Sequence, residues 1–257
     1  MGVAYFASDF HLGAPDKKAS LEREKSIVSW LDYAAKDATD IYLVGDVFDF
    51  WFEYKKVIPK GYSRLFGKIA QLSDCGIQFH FFHGNHDMWV NSYFQEEFNM
   101  IIYTEPISLD LYGKKIFVGH GDGLGPGDRG YKFIKQILRS RLCQWAFARF
   151  HPNFGISLAE FLSGKSRQGQ GNEHLFLGLQ KEWLYLFSCA HQQKSPHDFY
   201  FFGHRHLPMS LEIPNGTYVN LGEWIHFNTF VKMASETPEF LQWTGCKAVQ
   251  YDPKNAN

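Results

Sequence analysis

The stretch Ile41-Tyr42-Leu43-Val44-Gly45-Asp46-Val47-Phe48-Asp49 places two carboxylates directly after a short apolar run. An apolar run of this length followed by glycine indicates a buried strand that ends in a tight turn. Such a turn gives Asp46 little freedom of position. Because ligands of α/β proteins collect at the carboxyl ends of strands, the stretch predicts where a functional site lies.

Four further apolar runs end in the same way, in a group of Asp, His or Asn residues. These groups are Ser8-Asp9-Phe10-His11, Gly84-Asn85-His86-Asp87, Gly119-His120-Gly121-Asp122 and Gly203-His204-Arg205-His206. A single residue of this kind after a strand is usually a turn or capping residue. Five groups in series would need five coincidences, so the pattern predicts a metal site built from five loops.

The elements between these groups predict an α/β sandwich. Strands are expected at residues 3–7, 41–44, 77–82 and 199–202, and helices at 21–35 and 62–72. Hairpins are expected at 107–118 and 211–221, around Tyr112-Gly113-Lys114 and Pro214-Asn215-Gly216. We expect residues 1–257 to form a single domain, with an insertion at about residues 125–195.

The residue types of the five groups suit two divalent ions that share one ligand. Asp46 is the expected bridge, because it follows a glycine turn directly after a buried strand. Asp9, His11 and one histidine of the last group would complete one ion, and Asn85, His120 and the other histidine would complete the second. Mixed imidazole, carboxylate and amide ligands favour Mn²⁺, Fe or Zn over Ca²⁺.

Two pairs of predicted ligands, Asp9 with His11 and His204 with His206, have one residue between their members. An extended backbone presents such residues to the same side, so we expect each pair to lie on extended chain. His86 directly follows a predicted ligand. It is the expected catalytic residue beside the metals, because a histidine can donate to a phosphoryl or leaving oxygen near neutral pH.

The insertion at residues 125–195 differs from the remaining chain in charge. Residues 129–167 contain eight Lys or Arg and one Glu, a charge of +7, whereas the whole chain has a charge of -1. Ile134, Ile137, Leu138, Leu142 and Trp145 recur at helical spacing. A solvated helical face would be the ordinary explanation of the charge. The aromatic residues among the cations favour a helical lid beside the metal site.

The overall composition excludes several classes of protein. A net charge of -1 counts against a generally basic nucleic-acid binder. The four cysteines form no CxxC pair, which argues against a cysteine zinc site and favours reduced thiols in a cytoplasmic protein. The first residues lack the basic region of a signal peptide, and no run approaches the ~20 apolar residues of a membrane span.

The five groups resemble the signature of the calcineurin-like metallophosphoesterase superfamily, D-x-H, G-D-x-x-D, G-N-H-[DE], G-H and G-H-x-H, in the same order. The resemblance covers about residues 3–122 and 198–222. It implies a four-layer α/β/β/α sandwich and two-metal hydrolysis of phosphate esters or anhydrides. It also implies that His206 joins Asp9 and His11, whereas His204 joins Asn85 and His120.

Within this superfamily the chain is most similar to the UDP-2,3-diacylglucosamine pyrophosphatases of lipid A synthesis. The similarity rests on residues 45–51, on the basic aromatic insertion after the fourth group, and on Asn220-Leu221-Gly222-Glu223-Trp224. It implies cleavage of an acylated UDP-sugar to UMP and a lipid monophosphate. It also implies action at the cytoplasmic face of the inner membrane, where the insertion forms a lid around the acyl chains and a peripheral contact with the membrane.

The same resemblance implies residues that contact the substrate. They are Asp128, Lys165 and Arg167 of the insertion, and Asn85, His86 and His204 at the metals. One position departs from the group, because the well-known proteobacterial members have arginine where this chain has His86. Another nucleotide or lipid-linked pyrophosphate is therefore the alternative substrate.

Two other activities of the superfamily are weaker alternatives. A phosphodiesterase or nuclease would bind a nucleic-acid backbone through the basic insertion. The rest of the chain is acidic and contains no recognisable nucleic-acid module, so we expect no nucleic-acid partner. A protein phosphatase would have Arg-Gly where this chain has Phe50-Trp51. The sequence does not specify the oligomeric state.

Overall fold

The computed structural model describes residues 2–127, 129–168 and 175–253, except for the side chains of residues 129, 160, 162 and 165–168. The strands are β1 (Val3–Ala7), β2 (Ala38–Leu43), β3 (Gln78–Phe82), β4 (Ile101–Tyr103), β5 (Ile107–Leu111), β6 (Lys114–Gly119), β7 (Phe199–Phe202), β8 (Met209–Ile213), β9 (Gly216–Asn220), β10 (Thr229–Met233), β11 (Glu239–Trp243) and β12 (Ala248–Gln250). The helices are α1 (Lys17–Ala34), α2 (Ser63–Asp74), α3 (Tyr93–Phe98), α4 (Arg129–Arg139), α5 (Arg141–Phe147), α6 (Pro152–Gln168) and α7 (Trp183–Gln192).

The larger sheet has seven strands in the order β12-β11-β10-β1-β2-β3-β4. Strands β1 to β4 are parallel to one another, and β10 pairs with β1 in the antiparallel direction. Strands β10, β11 and β12 are not among the strands expected from the sequence. Four of the five residues of β10 are buried, so its sequence lacks the alternation of apolar and polar residues that identifies a strand with one exposed face.

The smaller sheet has five strands in the order β5-β6-β7-β9-β8. Both predicted hairpins are present, as β5 with β6 and as β8 with β9. Strands β6, β7 and β9 are parallel. Within each sheet, the parallel strands therefore end at a common edge.

Three buried clusters divide the molecule into four layers. Trp30 and Phe94, from helices α1 and α3, pack on one face of the larger sheet. Phe6 on the opposite face packs in one cluster with Phe201 of the smaller sheet. Leu184 of α7 packs on the outer face of the smaller sheet. The predicted α/β/β/α sandwich is thereby confirmed.

Helix α1 begins at Lys17, before the predicted start at residue 21. The carboxylate of Asp16 accepts hydrogen bonds from the backbone N–H of Lys18 at 2.8 Å and of Ala19 at 2.9 Å. This cap satisfies two N–H groups that have no partner within the helix. The apolar stripe identified only the buried part of the helix, because its first turn is largely exposed.

The insertion contributes α4 to α7, and these helices differ in their partners. Helix α7 packs against β8 and β9, and so belongs to the sandwich. Helices α4, α5 and α6 contact the loops at the carboxyl ends of the strands, as described below. Among the described residues, no helix combines the length and the apolar content that a bilayer span requires.

Candidate metal centre

The five predicted groups follow β1, β2, β3, β6 and β7, and hydrogen bonds between their loops join the edges of the two sheets. The backbone N–H of Gly203 donates to the carbonyl of His120 at 3.0 Å. The N–H of His204 donates to the carboxylate of Asp9, at 3.0 Å from Oδ2. The first contact joins two loops of the smaller sheet, and the second joins that sheet to a loop of the larger sheet. The sandwich thereby brings the groups to one side.

The expectation that the ligand pairs lie on extended chain is wrong. Asp9 and His11 have φ values of 54° and 45°, and His204 and His206 have values of 64° and 60°. Asp46, with φ of 52°, shares this left-handed conformation, which non-glycine residues adopt at a cost of roughly 1–2 kcal/mol each. The loops after β1 and β2 stay side by side, as the two strands do, because Asp9 N–H donates to Gly45 O and His11 N–H donates to Asp46 O.

One group of donors contains Asp9, His11, Asp46 and His206. The Nε2 atom of His206 lies 3.2 Å from Asp9 Oδ1 and 3.0 Å from Nε2 of His11. His11 Nε2 lies 3.7 Å from Asp9 Oδ1 and 4.0 Å from Asp46 Oδ2. Asp9, His11 and Asp46 are almost completely buried. Two imidazole nitrogens that face each other across two carboxylates form a ligand set for a divalent cation.

The second group contains Asp46, His120 and His204. His120 Nε2 lies 3.3 Å from Asp46 Oδ2 and 3.2 Å from the side-chain oxygen of Asn85. The other ring nitrogen of His120 contacts the carbonyl of Val44 at 3.0 Å. Such a contact fixes the ring and its tautomer, so that Nε2 remains available to a metal. The structure thus groups the histidines of the last motif as the resemblance implied.

A third group of donors contains His11, Asp49 and His86. Asp46 is common to the two groups described above, and its environment fits a bridging position. Asp46 Oδ2 and Nδ1 of His11 are buried atoms without a hydrogen-bond partner among the described residues. A buried polar atom without a partner costs free energy. A cation between Asp46 Oδ2 and the adjacent imidazoles would satisfy the carboxylate oxygen, so the residues present fit the predicted pair of ions.

The pKa values of Asp46 and His120 also indicate that the centre stabilises positive charge. Burial raises the pKa of Asp46, but His120 and His86 outweigh it and hold this pKa well below its usual range. Burial lowers the pKa of His120, but Asp46, Asp9 and Asp122 together outweigh this effect and raise the pKa to about 10. In the metal-free protein, a proton on His120 therefore supplies part of the charge that a metal would supply.

Comparison with known proteins agrees with this arrangement. The sequence profile described as calcineurin-like phosphoesterase matches residues 4–208. The chain belongs to this family. Its members are metal-dependent, so this phosphoesterase is a metal-dependent hydrolase, and the buried cluster described above is its candidate metal centre.

Several curated relatives of the phosphoesterase have the same name, UDP-2,3-diacylglucosamine hydrolase. The protein of Porphyromonas gingivalis is 36% identical over 240 residues, which cover 88% of this chain and 92% of the relative. The protein of Aeromonas hydrophila is 27% identical, with 85% and 89% covered. The protein of Yersinia pseudotuberculosis is 26% identical, with 92% and 97% covered. Among solved structures, the phosphoesterase Yfce of E. coli has 13% identity and a TM-score of 0.46, with 98% of this chain and 100% of that chain covered.

Asp87 organises the loop of Asp46 in the phosphoesterase. Its carboxylate accepts hydrogen bonds from the backbone N–H of Gly84 and of Val47, both at 2.8 Å. It also accepts from the N–H of Phe48 at 3.3 Å. Asp87 thereby joins the turn after β3 to the turn after β2 that carries Asp46.

His86 has its backbone and its ring engaged at the centre. Its N–H donates to Asp46 Oδ1 at 2.8 Å. Its Nδ1 lies 2.9 Å from the carbonyl of Asp49 and 3.1 Å from the hydroxyl of Ser163. Burial lowers the pKa of His86 to about 4, so the imidazole is neutral at pH 7 in the metal-free protein.

Ser163 is a residue of this site that sequence reasoning missed. It lies on α6 of the insertion, 77 residues after His86, and also donates to Asp49 Oδ2 at 3.1 Å. A serine within a helix is common and has no spacing that relates it to a distant loop. The contact shows that the insertion reaches the predicted catalytic histidine.

Helix α4 is attached to the loop that carries His120. The carboxylate of Asp122 accepts a hydrogen bond from the hydroxyl of Tyr131 at 2.6 Å and pairs with Lys135 at 2.6 Å. Arg139 pairs with Glu105 at 2.7 Å. At least two of the eight basic residues of the insertion thus hold α4 against the sandwich, and their charge is already partly compensated.

For three of the residues predicted to contact substrate, the structure does not describe the side chain. Asp128 lies outside the described residues. Lys165 and Arg167 belong to α6, but their side chains are outside the description. Asn85, His86 and His204 all lie at the metal centre, and their contact with substrate stays a prediction.

The aromatic residues beside the metal loops serve mainly as core. Phe48 and Trp51 are almost fully buried within the sandwich. Phe52 and Trp89 are buried in a separate cluster that includes Phe147 of α5. This second cluster packs the insertion against the loop between β2 and α2, beside the metal centre.

The insertion also exposes a large number of apolar side chains. Leu142 is 73% exposed and Phe133 is 64% exposed. We call the following group the apolar surface: Phe133, Ile134, Ile137, Leu142, Trp145, Phe150, Phe154, Leu158, Phe161, Leu175, Phe176, Leu177, Leu179 and Trp183. Exposed apolar residues in such number are typical of a surface that binds another molecule or a membrane.

Proposed function

We propose that the protein hydrolyses UDP-2,3-diacylglucosamine at its pyrophosphate and releases UMP and the acylated sugar phosphate. The observation that carries this proposal is the position of the metal centre beside helices with an exposed apolar surface. A substrate with a charged pyrophosphate and two acyl chains requires both features. The names of the curated relatives support the same substrate.

Two divalent ions, which we propose to be Mn²⁺, would occupy the centre, and Fe and Zn also suit its donors. The proposed ligands of one ion are Asp9, His11 and His206, those of the other are Asn85, His120 and His204, and Asp46 would serve both. When bound, such a pair neutralises phosphoryl charge and lowers the pKa of a bound water.

The protein's own groups would then fix the reacting geometry. Asp46 and His86 are the proposed catalytic residues, and the backbone N–H of His86 holds one oxygen of Asp46. We propose that the ring of His86 contacts a phosphoryl or leaving oxygen. The negative charge of a pyrophosphate raises the pKa of a nearby imidazole, and this favours the protonated form that a donor to the leaving oxygen needs.

We propose that helices α4 to α6 form a lid, and that the apolar surface contacts the acyl chains. Asp128, Lys165 and Arg167 of the lid are the proposed contacts with the sugar and phosphate groups. Arg141 and Arg149 are exposed among the apolar residues. Cations beside apolar side chains suit an anionic lipid surface, so we place the activity at the cytoplasmic face of the inner membrane.

A comparison of substrates tests this function. With Mn²⁺ in detergent, UMP should be released from UDP-2,3-diacylglucosamine, while single-stranded DNA, a cyclic nucleotide and a phosphopeptide stay intact. Cleavage of DNA without turnover of the lipid would contradict the proposal. Flotation with anionic vesicles tests the membrane contact, which Leu142→Asp should weaken.

His86 supports a second candidate, because this residue gives the general phosphoesterase form of the motif. The candidate is a pyrophosphatase of other nucleotide or lipid-linked substrates. UDP-N-acetylglucosamine, which lacks long acyl chains, distinguishes the two. Equal turnover of this compound and of the diacylated substrate would favour the second candidate.

A further inference from the structure

Arg205 lies between His204 and His206, and its guanidinium binds a buried carboxylate outside the metal centre. Its Nε donates to Oε2 of Glu182 and its Nη2 donates to Oε1, each at 2.9 Å. Glu182 is only 1% exposed. A two-point contact between a guanidinium and a buried carboxylate restrains orientation as well as distance.

The turn that carries Arg205 needs such a restraint. His204 and His206 both have positive φ values, at 64° and 60°. Non-glycine residues keep this conformation only where several surrounding contacts enforce it. The N–H of His204 donates to Asp9, and the N–H of Arg205 donates to the carbonyl of Gly203 at 2.7 Å. The contact with Glu182 adds a side-chain restraint at the middle of the turn.

Glu182 is a suitable anchor because it belongs to a rigid part of the sandwich. It immediately precedes α7, and the N–H of Leu186 donates to its carbonyl at 3.0 Å. Its negative charge lies at the N-terminus of this helix, where the helix dipole stabilises a carboxylate. Helix α7 is held in turn by Leu184, which is buried against the smaller sheet.

We propose that Arg205 is a positioning residue of the metal centre, which holds His204 and His206 at the two ions by binding Glu182. The same guanidinium donates from Nη2 to the carbonyl of Leu175 at 2.6 Å. It therefore also ties the turn to the chain segment at residues 175–179, which is part of the apolar surface. This inference rests on the two-ion centre of the proposed function, but not on the identity of the substrate.

Titration with Mn²⁺ alone tests the role of Arg205. Glu182→Gln keeps the shape of the side chain but removes the charge, and Arg205→Ala removes the whole contact. We expect both variants to bind Mn²⁺ about 10- to 100-fold more weakly, as when residues that orient metal ligands are lost. Arg205→Lys keeps the charge but not the two-point geometry, so its affinity should be intermediate. Isothermal titration calorimetry gives the affinity and the stoichiometry.

The electron paramagnetic resonance spectrum of bound Mn²⁺ separates positioning from general destabilisation. Two ions joined by Asp46 should give a spin-coupled spectrum in the wild type, and Glu182→Gln should convert part of it to the spectrum of isolated Mn²⁺. Asp32→Asn is the matched control, because Asp32 pairs with Lys68 at 2.8 Å away from the centre. We expect this variant to bind Mn²⁺ as the wild type does.

Wild-type affinity and a fully coupled spectrum in folded Glu182→Gln and Arg205→Lys would overturn the role of Arg205 and leave the proposed function intact. If the wild type itself did not bind two Mn²⁺ ions, both the role of Arg205 and the proposed function would be refuted. Circular dichroism establishes that each variant is folded. If Arg205→Ala does not fold, the other two variants decide the question.

Discussion

Replacement of Asp46 by asparagine tests the arrangement of the centre most directly. The asparagine side chain has nearly the same shape, and its oxygen can still accept the hydrogen bond that His86 N–H donates to Oδ1 at 2.8 Å. The substitution removes the negative charge at Oδ2, which lies 3.3 Å from His120 Nε2 and 4.0 Å from His11 Nε2. Both predicted ions lose a ligand while the turn is retained.

The expected loss of Mn²⁺ affinity follows from the short distances between Asp46 Oδ2 and the two imidazoles. Two unit charges 4 Å apart interact by about 4 kcal/mol at an effective dielectric constant of about 20. An ion between Oδ2 and either imidazole would lie closer than that and would carry two charges. We therefore expect Mn²⁺ affinity to fall on the order of 1,000-fold or more, since every 1.4 kcal/mol is a factor of ten. Turnover should be lost with the metals.

Calorimetric titration with Mn²⁺ and the thermal midpoint with and without Mn²⁺ measure this loss. A ligand present at 100 times its dissociation constant stabilises the folded state by about 2.7 kcal/mol, so Mn²⁺ should raise the midpoint of the wild type but not of Asp46→Asn. Asp40→Asn is the matched control, because Asp40 also contacts an imidazole, that of His80 at 3.0 Å. Binding of two ions by Asp46→Asn with wild-type affinity would refute the bridging role.

Three further predictions concern catalysis, the lid and pH. His86→Ala should lower kcat about 100-fold with Mn²⁺ affinity unchanged, and His86→Arg should retain more activity. The rate of UMP release measures both variants. A wild-type kcat in His86→Ala would exclude a catalytic role of His86. Leu142→Asp should reduce turnover of the diacylated substrate at least about tenfold, because burial of a leucine contributes about 1.5–3 kcal/mol. Hydrolysis of bis(p-nitrophenyl) phosphate should not change. Equal losses of activity on the two substrates would exclude a contact between Leu142 and the acyl chains. In EDTA, the free energy of unfolding should fall as pH rises from 6.5 to about 10. The pKa of His120 is raised from 6.5 to about 10 in the folded protein, so its bound proton stabilises the fold fully only below the pKa of the unfolded state. Urea unfolding at several pH values tests this, and a constant midpoint across that range would contradict it.

Most of the sandwich could be predicted from local sequence, because its strands are short apolar runs with clear ends. Strand β7 was predicted at its observed bounds, and both hairpins were found. The start of α1 was missed because it depends on the Asp16 cap and not on apolar spacing. Strands β10 to β12 were missed because the burial of β10 depends on its pairing with β1.

The bounds of the insertion show a similar dependence on tertiary contacts. The sequence distinguished residues 125–195 by charge and by the break in the alternation of elements. Helix α7 lies within these bounds but packs against β8 and β9. Composition along the chain does not reveal which helices pack on a sheet and which extend beyond it, because both kinds contain apolar residues.

The residue types of the centre and their order along the chain could be read from the sequence alone. A metal imposes its own choice of donors, and each of the five groups places those donors directly after a strand. How these donors meet depends on the tertiary structure. It presents Asp9, His11, His204 and His206 through left-handed turns, makes Asp46 common to two groups, and brings Ser163 to His86 and Glu182 to Arg205. These contacts join residues up to 195 positions apart, and no local pattern encodes them, because they arise when two sheets pack face to face and their edges align.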